Sequence, residues 1–225
     1  MNFLSHFYFD AQTDDPWLVF GIALPDLADG FNKNYKMEVM NHATGLLDRE
    51  SASVKRGVER HYEVDKIFHN GKHFQEATGF IKQVLKNADL QSIEKHVYFL
   101  GHIYYEMMLD RILIELYPNL PVNYYRLLEN ISQSAMKGYF QHIELEHRFE
   151  ELFARFRGFL NHKYLLRYSG NEPLVFALCR VYRRVSAVEV AYSDQLKLQH
   201  SIEEVEQYVR PLIHEIFNEV KTKLK

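Results

Sequence analysis

Two stretches of this chain set out metal-ligand side chains at helical spacing. His61, Asp65 and His69 stand at i, i+4 and i+8, and His102, Glu106 and Asp110 repeat the pattern. On an α-helix such residues stack along one face with only a slow drift around the axis. In the second stretch the residues between them are mostly apolar: Ile103, Tyr104, Tyr105, Met107, Met108 and Leu109. A histidine and two carboxylates in so apolar a helix are costly to bury unless they are paired or coordinated. Two helices of this kind, face to face, can hold a metal by imidazole and carboxylate, as helix-bundle metalloproteins do. The competing reading is a pair of solvated faces in a chain rich in histidine.

His6 and Asp26 are further candidates. His6 lies in the apolar run Phe3–Phe9, where a histidine is either a satisfied core residue or a ligand. Asp26 follows Leu24-Pro25 and reads either as a turn aspartate or as a ligand. Residues 155–184 form the most basic stretch, with Arg155, Arg157, Lys163, Arg167, Arg180, Arg183 and Arg184 against one acid, Glu172. Arg180, Arg183 and Arg184 recur at i, i+3 and i+4 and so share a helix face. Such a face is either a solvated surface or a docking site for an acidic or phosphate-bearing partner. The pairs Tyr104-Tyr105 and Tyr124-Tyr125 read as core and rim.

The elements that must carry these residues read as helical nearly throughout. Asp15-Pro16 predicts an N-cap with proline at N1. Gly21 to Gly30, with Pro25 inside it, predicts a helix end and a turn, and residues 31–50 are mixed. A helix is expected over Val54–Asn70, closed at Gly71. Phe74, Ala77, Phe80, Ile81, Val84 and Leu85 follow a helical period. A long helix is expected from about Asp89 to Tyr117, stopped by Pro118 and Pro121. Another helical region runs to about Phe156, and Asn171 with Pro173 opens a further helix. Ser201 and Glu204 read as the capping box of the last helix, with Pro211 kinking it. No period-2 strand, repeat or linker appears, so the expected fold is all-α, a single-domain multi-helix bundle over residues 1–225 with a metal site between helices.

Composition limits the function classes. The chain has 225 residues, 47% hydrophobic and 25% charged, as in a globular protein. Its net charge of −3 gives no electrostatic reason to expect a nucleic acid. Cys179 is the one cysteine, so nothing demands an oxidising compartment. The first ten residues lack a basic n-region, and no run of about 18 apolar residues appears, so neither a signal peptide nor a membrane helix is expected. The expected location is cytoplasmic.

The motifs MNFLSH at 1–6, GIALPD at 21–26 and GVERHYEVD at 57–65 resemble the opening of the acyl carrier protein phosphodiesterases. Members of that family begin with a stretch of the MNFLAH type, then a G-x-x-x-x-D segment and an H-x-x-x-D helix. The likeness continues more weakly at Tyr164–Tyr168 and Leu178–Arg184. The family is regarded as a divergent, all-α branch of the HD-type metal-dependent phosphohydrolases. The resemblance implies removal of the 4′-phosphopantetheine arm from holo acyl carrier protein with a divalent metal, typically manganese. It implies a ligand set of His6, Asp26, His61, Asp65, His102 and Glu106, with Asp110 or Glu106 orienting water. His69, or less directly His73, would then protonate the leaving serine oxygen, and Arg180, Arg183 and Arg184 would meet the acidic carrier protein.

This chain departs from the pattern in several places. It has no adjacent His-Asp pair, since His61 and Asp65 are one turn apart. Histidine stands at 69, where the family often has aspartate, and His102 and Glu106 stand near positions where it tends to have aspartates. More imidazole shifts metal preference toward iron or zinc. These departures keep two other readings open: a related phosphohydrolase acting on a nucleotide or small phosphodiester, and a helical interaction protein with a structural metal.

Overall fold

The computed structural model describes residues 1–28, 48–93 and 96–224. Among these the regular structure is helical, with no strand. The helices are α1 (Phe3–Phe7), α2 (Pro16–Ala28), α3 (Arg49–His69), α4 (Lys72–Asn87), α5 (Val97–Leu116) and α6 (Asn119–Glu129). They continue with α7 (Gln133–His142), α8 (Phe149–His162), α9 (Asn171–Ser186), α10 (Tyr192–Val209) and α11 (Ile213–Lys223). The chain groups into two compact units that alternate along the sequence. Unit 1 takes Met1–Ser5, Asp65–Pro118 and Tyr164–Lys225, and unit 2 takes His6–Val64 and Asn119–Lys163.

In unit 2, α2 opens as its sequence predicts. Asp15 accepts hydrogen bonds from the Trp17 and Leu18 amides at 3.0 and 3.3 Å, and Pro16 occupies the first turn, where a missing N–H costs nothing. The helix end expected within Gly21–Gly30 falls at Ala28, so α2 runs past Gly21 and through Pro25. Packing accounts for the continuation. Most of α2 is buried, and Gly21 is needed for contact rather than for a turn. A Cβ on Gly21 would stand 2.2 Å from the Val54 carbonyl oxygen of α3, and a Cβ on Gly57 of α3 would stand 2.3 Å from the Leu18 oxygen. Two facing glycines thus let the α2 and α3 backbones touch. Helix α2 also packs on α6 and α8, with Phe20 against Phe156 at 5.4 Å between ring centroids, and Tyr125 of α6 meets Phe159 of α8 at 5.1 Å. The region 29–47, which includes the expected turn at Gly30, most of the mixed stretch and His42, lies outside the described residues.

Helix α3 starts earlier than its periodicity predicts because Asp48 caps it, accepting from the Ser51 amide at 2.7 Å. The helical region expected up to about Phe156 consists of α6, α7 and α8, with Ser132 capping α7. Pro121 sits in the first turn of α6 rather than stopping a helix.

In unit 1, α4 and α10 pack on α5, and α9 lies against α5 and α10. Helix α5 begins at Val97, later than expected. Arg111 ties it to its neighbours, donating to the Tyr168 and Ser169 carbonyls at 3.0 and 2.7 Å and to Glu206 at 2.9 Å. Ser201 is no cap. It lies inside α10, donates to the Leu198 carbonyl at 2.8 Å, and is 3.0 Å from the Tyr104 hydroxyl. Its S-x-x-E spacing is fulfilled by a buried serine bonding back along its own helix. Pro211 falls in the 3-10 turn Arg210–Leu212 that joins α10 to α11.

The glycine contact gives a direct test. Gly21→Ala should cost about 2–3 kcal/mol, because the atom it meets is backbone and cannot swing away. Gly79, in α4, has open space around its Cβ direction, so Gly79→Ala should stabilise by up to about 1 kcal/mol. Urea unfolding of both variants would reveal the contrast; equal effects would mean that the α2–α3 contact is not tight.

Candidate functional site

Unit 1 brings three of the candidate ligands together. His69 ends α3, and His102 and Glu106 lie one turn apart on α5. His102 Nε2 is 2.8 Å from Glu106 Oε1, His69 Nε2 is 3.0 Å from the same oxygen, and the two Nε2 atoms are 3.1 Å apart. The three atoms make a nearly equilateral triangle. One proton at most can lie between the two nitrogens, so two neutral imidazoles cannot both donate to Glu106 without their N–H groups opposing each other. The rings are held by aromatic edges: Phe74 meets His69 and His102, each at centroid distances of 4.8 and 4.9 Å. The side chains are 30% exposed at His69, 28% at His102 and 14% at Glu106, so the triangle is reachable from solvent.

The triangle fits a metal ion. With metal–ligand distances of about 2.1 Å, neighbouring ligands of an octahedral ion stand about 3.0 Å apart and those of a tetrahedral ion about 3.4 Å. The observed edges of 2.8 to 3.1 Å match one face of an octahedron. Two imidazoles and one carboxylate suit manganese, iron or zinc and leave the remaining positions open.

A cationic group already touches this cluster. The Met1 ammonium donates to Asp65 Oδ1 at 2.6 Å and to Glu106 Oε1 at 2.9 Å. Burial pulls its pKa down, but Glu106 and Asp65 outweigh burial and raise it to about 11. Burial would in turn raise Glu106. The ammonium and the hydrogen bonds from His102 and His69 instead hold it well below the usual carboxylate range. Asp65 also lies 3.9 Å from His69 Nδ1, one turn away on α3. No side-chain pattern announces an amino terminus, so sequence reasoning missed this partner; the apolar run beginning at Phe3 was the one hint that the segment is buried.

Asp110, expected in a catalytic role, is fully buried on α5 and engaged along both oxygens. It accepts from Asn2 Nδ2 at 2.9 Å, the Leu4 amide at 3.2 Å, and the Ser5 amide and hydroxyl at 2.8 and 2.7 Å. Burial raises its pKa to about 6 against the pull of those donors. What Asp110 does here is fasten the segment that carries Met1.

Unit 2 gathers other members of the expected set. His6 and His61 are both buried and stack at 3.8 Å between centroids, 19° from parallel. His61 Nδ1 lies 2.9 Å from the Ile22 carbonyl oxygen, and its Nε2 is 3.9 Å from Asp26 Oδ1. His73, in α4, has Nε2 3.8 Å from Glu215. Arg180, Arg183 and Arg184 are exposed on α9; Arg180 stands 5.8 Å over the Phe176 ring and Arg183 pairs with Glu189 at 3.7 Å. Elsewhere in the basic stretch charge is partly answered, as Arg155 pairs with Glu151 and Lys163 with Glu129. Among the described residues no helix is long and apolar enough to cross a membrane.

Comparison with protein-family models, with curated proteins and with solved structures finds no match to this chain.

The role of Asp110 is open to measurement. Asp110→Ala would leave four donors facing a cavity, and should cost about 3 kcal/mol or more. The Leu4 and Ser5 amides should lose their protection from hydrogen exchange in that variant. Wild-type protection at both positions would show that the segment is held by other means.

Proposed function

We propose that this chain is a divalent-metal-dependent phosphodiester hydrolase that releases 4′-phosphopantetheine from holo acyl carrier protein. The observation that carries the metal-dependent part is the triangle of His69, His102 and Glu106. The substrate rests on the motifs at 1–6, 21–26 and 57–65 and on the exposed arginines of α9, and the HD-like description of the fold rests on the motifs alone. Manganese is the first choice of ion, with iron and zinc favoured by the added imidazole.

An ion in such a site supplies Lewis acidity toward a phosphate oxygen and a water of lowered pKa. The protein's own groups do the rest. His69, His102 and Glu106 would hold the ion, so His69 moves in this reading from proton donor to ligand. Asp65 stands 3.9 Å from His69 Nδ1 and adds negative charge beside the ring. The Met1 ammonium fixes Asp65 and Glu106 and adds positive charge where an anionic substrate must approach. Asp110 keeps that ammonium in place from behind. The arginines of α9 draw an acidic carrier protein by charge.

A second reading, a helical interaction protein whose cluster is structural, has one observation in its favour. The Met1 ammonium already compensates Glu106 and Asp65, so these part-buried acids are not left without a counter-charge.

Two experiments separate these readings. Protein purified without a metal-affinity tag should contain a divalent ion, and His102→Ala should lose it together with turnover of holo acyl carrier protein followed by mass spectrometry. Failure to cleave the carrier protein while hydrolysing a small diester such as bis(4-nitrophenyl) phosphate would reject the substrate; failure on both with Mn, Fe and Zn would reject the hydrolase. Reversing Arg183 and Arg184 to Glu should raise KM for the carrier protein about tenfold or more at low salt and leave the small diester unaffected. Unchanged carrier-protein kinetics would mean that the α9 face is merely solvated.

A further inference from the structure

Unit 2 holds a cavity whose lining shares no residue with the histidine clusters. It encloses about 390 Å³, toward the lower end of the range for small-molecule sites. Its walls come from α8 and from the junction of α6 with α7, elements that pack on one another. On α8 the lining residues Phe153, Phe156, Arg157, Leu160 and Asn161 recur at i, i+3, i+4, i+7 and i+8, so they share one face. Its apolar part is held in place from behind. Phe156 and Leu160 are buried with Ile131 of the opposite wall, Phe153 stacks on Phe149 at 5.4 Å, and Phe156 meets Phe20. Phenyl rings in such a wall favour another ring, by stacking or edge contact.

The polar part of the lining carries uncompensated positive charge. Glu129, at the end of α6, is answered by Lys163 at 2.6 Å. Elsewhere on α8, Arg155 pairs with Glu151 at 3.5 Å. Arg157 makes neither an ion pair nor a hydrogen bond among the described residues, and the same holds for the side-chain amides of Asn161 and Gln133 beside it in the lining. Gln133 is also the first residue of α7, so the positive end of that helix dipole adds to the guanidinium. The planar fork of a guanidinium matches a carboxylate through two parallel hydrogen bonds. Glu129 in the same wall opposes a second negative charge, so a carboxylate suits the cavity better than a dianionic phosphate.

We infer that this cavity binds a small aromatic monocarboxylate, with Arg157 on the carboxylate and the ring against Phe153, Phe156 and Leu160. The site is independent of the hydrolase reading, because none of its groups belongs to the triangle of His69, His102 and Glu106.

The probe is 2-naphthoate, titrated calorimetrically into the full chain with EDTA present, so that no bound ion takes up the carboxylate. The wild type should show one saturable site with a Kd of about 1 mM or tighter. Arg157→Gln, at an exposed side chain whose loss leaves the core intact, should weaken binding about tenfold or more. Replacing the probe by 2-naphthamide, which keeps the ring and lacks the charge, should have a similar effect on the wild type. Acetate, which keeps the charge and lacks the ring, should not displace the naphthoate at equal concentration. Arg184→Gln, on the basic face of unit 1, should bind as the wild type does. No saturable binding by the wild type, an unchanged Kd in Arg157→Gln, equal affinity for the amide, displacement by acetate, or loss of binding in Arg184→Gln would each overturn the site.

Discussion

The buried carboxylates of α5 set the terms for unit 1. Asp110 has no solvent to satisfy it, and an acid so placed must be given donors or be neutralised. It is given four, all from Asn2, Leu4 and Ser5. One turn earlier, Glu106 imposes the same demand and meets it with two imidazoles and the Met1 ammonium. The order Glu106 then Asp110 along the helix thus fixes where Met1–Ser5 lies. The same two acids build the candidate site and anchor the segment beside it. A core of hydrocarbon in their place would be easier to stabilise, since buried ion pairs repay little of their desolvation cost.

Unit 2 solves a different problem by a different device. Its α2 is buried on nearly every side, and it packs against α3 at backbone distance through Gly21 and Gly57. Side chains at that crossing are excluded, so the groups just beyond it, His61 on α3 and Asp26 on α2, are set by backbone rather than by flexible rotamers. The 2.9 Å bond from His61 to the Ile22 carbonyl is a direct result: only a close approach brings an imidazole within reach of a helix carbonyl. In unit 1 the candidate ligand atoms of His69, His102 and Glu106 are likewise carried on helices, which suits a site that must hold its geometry.

Much of this was legible in the residues themselves. The i, i+4, i+8 spacing put His102, Glu106 and Asp110 on one face of α5, and they are found there. The caps at Asp15 and the apolar period of α4 also read true. What was not legible came from distant packing. Gly21 and Pro25 look like punctuation in a one-dimensional string, because a glycine required for helix contact and one required for a turn are the same residue. Ser201 and Glu204 fit a capping box, but the start of α10 is set upstream at Tyr192 and the serine serves Tyr104. The partners of Asp110 are about a hundred residues away in the chain, and no local pattern encodes them. Helical spacing can nominate a ligand; it cannot say which of two acids on one face will meet a histidine and which will meet a backbone amide.

Charge gives a last constraint on what the unit 1 site can accept. Counting Asp65 and Glu106 as carboxylates and Met1 as an ammonium, the immediate cluster carries one net negative charge with its histidines neutral. Alone, that cluster repels a phosphodiester. A monovalent ion would bring it only to neutrality, whereas a divalent ion would leave one positive charge, equal and opposite to that of a phosphodiester. In the proposed hydrolase the ammonium would therefore matter as much as the ligands: without it the same two acids would absorb the whole charge of a divalent ion and leave nothing to attract an anionic substrate. In this reading the N-terminal segment, held by Asp110, completes the electrostatics of the site as well as its packing.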